Sequence, residues 1–142
     1  MKEYEILDEH TADVMVLAYG KNLEGVFKNA AKALFNTITA SSIIERKNIK
    51  EISIEADNLK SLLVNWLEEL IFYFDVEGWI FEDFEIKIEK KNDMWFLTAK
   101  CYGEHFNPNK HKSGVEVKGI SYHMLEFGKK NGLHFAKVIF DI

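Results

Sequence analysis

Two carboxylates, an imidazole and a hydroxyl crowd into residues 8–12 (DEHTA), and Asp13 follows them directly. The next residues, 15–19 (MVLAY), read as a short apolar strand, so this polar segment should lie where a strand begins. Oxygen-rich sets of this kind suit hard cations such as Ca2+, Mg2+ or Mn2+. They equally suit a solvated turn in which Asp or Thr caps its own backbone. The spacing alone leaves both interpretations open.

The other end of the sequence offers a second set of oxygen ligands. Asp141 and Ile142 directly follow the apolar strand residue Phe140. An ending on a strand, instead of a polar tail, indicates a terminus held in the fold. One interpretation is an ordered last strand and nothing more. The other is that Asp13, Asp141 and the backbone oxygens of Ile142 converge on one cation, and it predicts that the two carboxylates lie close together.

A third feature is the segment 103–123 (GEHFNPNKHKSGVEVKGISYH), which is locally basic and holds three of the five histidines. A long loop that leads into a strand is a natural place for a contact with a partner or a phosphate, although loop charge often serves solvation alone. Lys118 stands out because it interrupts the apolar positions Val117 and Ile120. If its side chain faced the sheet, it would need a partner.

Several classes of function lack support in this sequence. P-loop, GxGxxG, nucleophile-elbow, HExxH and CxxC motifs are all missing. A zinc site built from the histidines would lack cysteine partners, because Cys101 is the only cysteine and fits a buried position in a reducing compartment. The net charge of −5 argues against direct binding of DNA or nonspecific binding of RNA. The histidines considered for zinc are His10, His105, His111 and His123.

The first half of the chain predicts two strands, a helix, a strand and a second helix. The strands are expected at residues 4–7 and 15–19 and at residues 51–56, where apolar and polar residues alternate. Apolar spacing predicts an amphipathic helix over roughly residues 23–37, with Asn22 as its N-cap. Asp57 is expected to cap a second helix that ends at Gly78.

The second half predicts four strands. Residues 84–88 and 95–102 flank the polar KKND and read as a hairpin, and the pattern fails between residues 103 and 114. Two more strands are expected at residues 115–124 and 134–142, with GKKNG as the turn between them. The whole pattern indicates an α+β fold: one domain over residues 1–142, with two helices packed on a largely antiparallel β-sheet.

Membrane insertion and secretion are not expected. The longest apolar-rich stretch, residues 62–79, is interrupted by acidic side chains, and the first residues lack the basic start and apolar core of a signal peptide. We therefore expect a soluble, cytoplasmic protein.

Four blocks of the sequence, in order, resemble the archease family. They are EHTADVMVLAYGKNLEGVFKNAAKALFNTI, DNLKSLLVNWLEELIF, GVEVKGISYHMLEF and VIFDI, and together they extend nearly from end to end. The resemblance implies a cofactor protein, not itself an enzyme, for the GTP-dependent RNA ligase that joins the exons of split tRNAs. Family members promote guanylylation of the ligase histidine and multiple turnover, so tRNA would be met only through the ligase.

The resemblance also assigns residues. It implies that Asp13, Asp141 and Ile142 are ligands of a divalent metal ion, Ca2+ in the isolated protein, with Mg2+ or Mn2+ as alternatives. Lys118 matches a family position implicated in activity, and His10 belongs to the opening motif. The loop before the VEVKGISYH block departs from the family pattern, because HFNPNKHK has asparagines where relatives carry acidity.

Two other functions compete with the ligase cofactor. A metal-dependent phosphatase or hydrolase would use Asp13 and Asp141 with His10 as acid or base, but no nucleophile is evident. A general RNA-binding or chaperone module is opposed by the negative net charge.

Overall fold

Two antiparallel sheets and two helices make up the computed structural model, which describes residues 2–9 and 13–142. Both helices contact both sheets, so the apolar core extends along the two sides of each helix. The elements in chain order are β1 (Tyr4–Glu9), β2 (Asp13–Gly20), α1 (Leu23–Ile38), β3 (Asn48–Ala56), α2 (Leu59–Glu77), β4 (Trp79–Lys91), β5 (Met94–His105), β6 (Gly119–Lys130) and β7 (Leu133–Asp141).

The strands divide between the two sheets. One sheet has the order β1-β2-β7-β6 and the other has the order β3-β5-β4. Every pairing among these strands is antiparallel. The predicted α+β class, with two helices and antiparallel strands, is confirmed. The sequence indicated one sheet because local alternation shows which residues form strands, but not how the strands group.

Helix α1 is buried on most of its surface. Asn22 caps it as predicted, because its side-chain oxygen accepts the Gly25 N–H at 2.9 Å. Three small residues, Ala30, Ala31 and Ala33, are fully buried and leave room for neighbouring backbone on more than one side. Only one polar stripe, which includes Lys28 and Lys32, remains partly exposed, so the wide apolar face of α1 can pack against both sheets.

Helix α2 begins one residue later than the sequence indicated. Asn58, not Asp57, is the N-cap, and its side chain accepts the Ser61 N–H at 2.8 Å. Asp57 instead accepts a hydrogen bond from the Asn58 side-chain amide. The predicted end is confirmed, because Gly78 adopts a left-handed conformation with φ 77°. Trp66, fully buried, donates its indole N–H to the Phe27 carbonyl and so joins the two helices.

Strand β6 differs most from the expectation. Residues 115–118, expected in this strand, lie outside it, and Gly114 and Val115 donate to the Ile38 and Thr37 carbonyls at the end of α1. The strand continues to Lys130, and the register shift between Ser121 and Glu126 leaves four residues bulged. The turn to β7 is at Asn131 and Gly132, both with positive φ.

Neither α1 nor α2 combines the length and the apolar character that a bilayer-spanning segment needs; this holds for the part of the chain that the structure describes.

Candidate functional site

The two central strands of the four-stranded sheet bring Asp13 and Asp141 together. Asp13 is the first residue of β2, Asp141 is the last of β7, and the two are direct register partners. Opposed residues of an antiparallel pair share one face and have Cα atoms about 4.5–5.5 Å apart. The predicted proximity of these two carboxylates is therefore confirmed by the register.

Apolar residues lie behind this carboxylate pair on the same face. The next pair on that face is Met15 with Ile139, and Ile139 is only 5% exposed. On the other flank, Gly119 of β6 pairs with Asp141 and contributes no side chain. Two like charges are thus held side by side at the end of an apolar row, where a bound cation would offset their repulsion.

The other residues from the sequence analysis lie in different settings. Ile142 is half-buried and packs against the core. Lys118 is exposed, so its side chain does not face the sheet and needs no buried partner. Its backbone N–H donates to the Asp141 carbonyl at 2.7 Å, which fixes Lys118 next to the carboxylate pair. His10 lies outside the described residues.

A hard cation fits the donor chemistry of this pair. Carboxylate and carbonyl oxygens are the ligands of Ca2+, Mg2+ and Mn2+. Among the side chains that the structure describes, no three from His, Cys, Asp and Glu group closely enough to hold a metal. Asp13 and Asp141 would supply two carboxylate ligands, and the main-chain oxygens of Ile142 would add to them.

The histidines among the described residues do not form the zinc site considered above. The His105 ring lies 4.5 Å from the Trp79 ring, whereas His111 is buried against Glu104. His123 is exposed in the bulge of β6.

A buried ionic cluster around Glu104 was missed by the sequence analysis. Glu104 is 4% exposed, and its carboxylate accepts the Glu45 N–H at 2.6 Å, the Lys110 ammonium at 2.7 Å and His111 Nε2 at 3.0 Å. Burial alone would raise the pKa of Glu104, but these donors lower it to about 2. Glu104 lies at the end of β5 and His111 in the loop seven residues later, where the sequence has no periodicity that would relate the two side chains.

The same cluster fixes the tautomer of His111. The Asn107 N–H donates to His111 Nδ1 at 3.0 Å, so the ring proton lies on Nε2 and points at Glu104. Asn107 also accepts the Asn109 N–H through its side chain, which closes an Asx turn. Asn107 and Asn109 thus form the turn that carries the chain from Glu104 to His111.

One protein family, several relatives and two solved structures match this chain over nearly its whole length. The Archease protein family (MTH1598/TM1083) matches residues 4–142. The chain is 43% identical over 143 residues to the protein archease of Pyrococcus abyssi, and 42% identical over 135 residues to that of Pyrococcus furiosus. The first match covers 100% of both chains, and the second covers 94% of this chain and 95% of the relative.

Two solved structures share the fold. The solution structure of Methanobacterium thermoautotrophicum protein 1598 matches with a TM-score of 0.85 at 39% identity, covering 100% of both chains. The crystal structure of a Thermotoga maritima protein, described as an archease and possible chaperone, matches with a TM-score of 0.55 at 19% identity. That match covers 95% of this chain and 94% of the other, and at this identity it shows the fold alone. With the family match and the full-length relatives, the chain belongs to the archease family.

Proposed function

We propose that this protein activates a GTP-dependent tRNA-splicing RNA ligase. It would promote guanylylation of the ligase histidine and multiple turnover, with a divalent metal ion held by Asp13, Asp141 and Ile142. The observation that carries the proposal is the direct pairing of Asp13 with Asp141 in a chain of the archease family. Contact with tRNA would come through the ligase.

The chemistry of guanylylation explains why such a pair would be useful. Transfer of GMP to a histidine develops negative charge on phosphate oxygens, and a bound divalent cation supplies positive charge that offsets it. Asp13 and Asp141, on rigid paired strands, would hold that ion at a fixed place on the surface. Lys118 is exposed, and its backbone N–H donates a hydrogen bond to the Asp141 carbonyl. Its ammonium would therefore lie near the carboxylate pair, where it would bind a phosphate or a carboxylate of the ligase.

The test compares Asp13→Ala with the wild-type protein. The ligase is incubated with excess RNA, GTP and metal, and both the turnover number and the covalent GMP–histidine adduct are measured. Loss of one positioned metal contact commonly costs on the order of 3 kcal/mol, so stimulation should fall about 100-fold. The thermal midpoint should stay equal or rise slightly, because removal of one carboxylate relieves repulsion with Asp141.

Asp75→Ala is the matched control, since Asp75 is an exposed carboxylate on α2. It should stimulate as well as wild type does. A folded Asp13→Ala protein that stimulates fully would make Asp13 a structural residue and refute its assignment as a ligand. Turnover of phosphate esters without ligase would favour a hydrolase instead. Prevention of ligase aggregation without any change in adduct formation would favour a chaperone.

A further inference from the structure

We infer that the free edge of β3, together with the exposed side of α2, binds an extended basic segment of a partner protein as an added strand. This inference concerns a surface other than the Asp13–Asp141 pair, and it does not depend on the proposed ligase.

The edge of β3 differs from the other three sheet edges. β1, β4 and β6 each contain a register shift, between Ile6 and Asp8, between Phe81 and Asp83, and between Ser121 and Glu126 respectively. Such bulges protect an edge from pairing with another chain. β3 pairs with β5 over nine residues without any shift. It is therefore the edge in the described structure whose geometry best suits an additional strand.

The outward backbone groups of Glu51 and Ser53 are the ones that this edge offers to an added strand. The Glu55 carbonyl points away from β5, because it accepts a hydrogen bond at 3.4 Å from the Asn65 side chain of α2. In an antiparallel ladder, alternate residues direct both backbone groups to the same side. Glu51 and Ser53 therefore direct their N–H and C=O groups outward as well. Within the described residues, no backbone–backbone bond outside the sheet ladders involves these groups.

A groove runs along this edge, with an acidic and partly aromatic lining. Its volume is about 530 Å3, and α2 forms one wall while β3 forms the other. Three of its lining residues are acidic, Glu55, Glu68 and Glu69, and none is basic. These three make no ion pair within the part of the chain described. Phe72, 50% exposed, adds an apolar contact surface.

The charge of the groove selects among occupants. Nucleic acid is disfavoured, because its phosphates would meet carboxylates. A second copy of this chain is disfavoured as well. Antiparallel pairing of two β3 strands would place Glu51 or Glu55 of one copy opposite, or diagonally next to, the same glutamates of the other copy. A protein segment that alternates Lys or Arg with apolar residues fits this groove. Its backbone would form hydrogen bonds with the outward groups of β3, its basic side chains would lie near the glutamates, and its apolar side chains would cover Phe72.

The experiment uses the full chain, labelled with 15N, and a blocked ten-residue peptide of alternating valine and lysine. We expect saturable shifts of the amide resonances of residues 51–55 and of Phe72, weakened by added salt. A peptide of alternating valine and glutamate should cause none. Shifts confined to the neighbourhood of Asp13 and Asp141, or the same shifts with both peptides, would overturn the inference.

Two kinds of variant test the edge itself. Ser53→Pro removes an outward N–H without removing a bond to β5, so it should abolish the peptide-induced shifts. Glu55→Gln should weaken binding about two- to fivefold, whereas Glu126→Gln, an equal loss of charge in the other sheet, should not. If Ser53→Pro fails to fold, as judged by thermal unfolding, Glu55→Lys with Glu69→Lys replaces it and should abolish binding.

If the folded Ser53→Pro protein, or the double lysine variant used in its place, binds the valine–lysine peptide as tightly as wild type does, the added strand is refuted. Concentration-dependent dimerisation without peptide, lost in the edge variant, would assign the edge to a second copy and would also refute the inference. Neither outcome bears on stimulation of the ligase, which Asp13→Ala tests separately.

Discussion

At the scale of single residues, burial and hydrogen-bond donors give the carboxylates of this protein different roles. Glu104 is buried, and its carboxylate accepts hydrogen bonds from three donors, so its charge is compensated within the fold. Asp13 is only half-buried, and its register neighbour Asp141 carries the same charge. A carboxylate whose charge is satisfied internally serves stability, whereas one set beside a like charge is suited to an external ligand.

Glu104→Gln should therefore destabilise the protein in a pH-dependent way. At pH 7 the loss of the buried charge, with Lys110 and His111 left facing an amide, should cost about 2–3 kcal/mol of unfolding free energy. The folded pKa of about 2 lies below the ordinary value of 4.5. The stabilisation from ionised Glu104 is thus complete above pH 4.5 and is lost as pH falls toward 2. Denaturant unfolding between pH 7 and pH 2 measures it.

The exposed Glu116 provides the control for this prediction. Glu116→Gln should follow the wild-type stability curve, while the Glu104→Gln curve should converge on the wild-type curve as the pH approaches 2. Curves for wild type and Glu104→Gln that stay parallel over the whole range would show that Glu104 does not titrate with a lowered pKa.

At the scale of elements, backbone contacts decide where the loop between β5 and β6 lies. Gly114 donates to the Ile38 carbonyl at 2.7 Å, and a Cβ at this position would lie 2.1 Å from the Thr37 carbonyl oxygen. The loop is thus fastened to the end of α1 four residues before Lys118. The position of Lys118 beside Asp141 depends on this attachment as well as on its own N–H.

Gly114→Ala should detach the loop from α1. The clash is with backbone atoms, which cannot move aside like a flexible side chain, so we expect a loss of about 2–3 kcal/mol in unfolding free energy. Stimulation of the ligase should fall more than stability alone explains, because Lys118 loses its place. Gly78→Ala is the comparison: its Cβ meets no atom within 4 Å, but φ is 77°, and the cost should be about 1 kcal/mol. Equal effects of the two substitutions on stimulation would contradict this account.

The elements also show what the sequence could predict. Asn22 and Gly78 were identified as helix boundaries because capping depends on one residue and its immediate neighbours. The start of β6 was misplaced because residues 115–118 alternate like a strand, yet their partners lie on α1 and β7. The Glu104 cluster was missed for the same reason, since one of its donors, Glu45, is remote in sequence. Proximity of Asp13 and Asp141 was predictable from the two strand ends, but their register was not.

At the scale of the whole molecule, the candidate site joins opposite ends of the sequence. β2 and β7 are the inner strands of their sheet, and Asp13 and Asp141 form the last pair of that ladder. Unfolding would separate these residues by nearly the full chain, so the unfolded state cannot offer the same site. An ion that binds both carboxylates would therefore stabilise the folded state alone.

Calcium should raise the thermal midpoint of the wild-type protein. At a free concentration 100 times its Kd, an ion that binds only the folded state adds about 2.7 kcal/mol of stability. For a chain of this length that corresponds to a rise of roughly 5–10 °C. Asp13→Asn with Asp141→Asn should remove the rise. Without calcium this double variant should melt at the same or a slightly higher temperature, because two like charges no longer face each other across the ladder.

Scanning calorimetry after exhaustive chelation, followed by stepwise addition of Ca2+ or Mn2+, distinguishes this site from general ionic effects. Asp75→Asn, with its exposed carboxylate on α2, should respond as wild type does, and matched additions of NaCl should leave all midpoints nearly unchanged. An equal rise in the double variant and in wild type would place the ion elsewhere and refute metal binding by this pair. If the thermal midpoint rises only in proteins that retain both carboxylates, then Asp13 and Asp141 bind the ion jointly, which their direct pairing in the ladder allows.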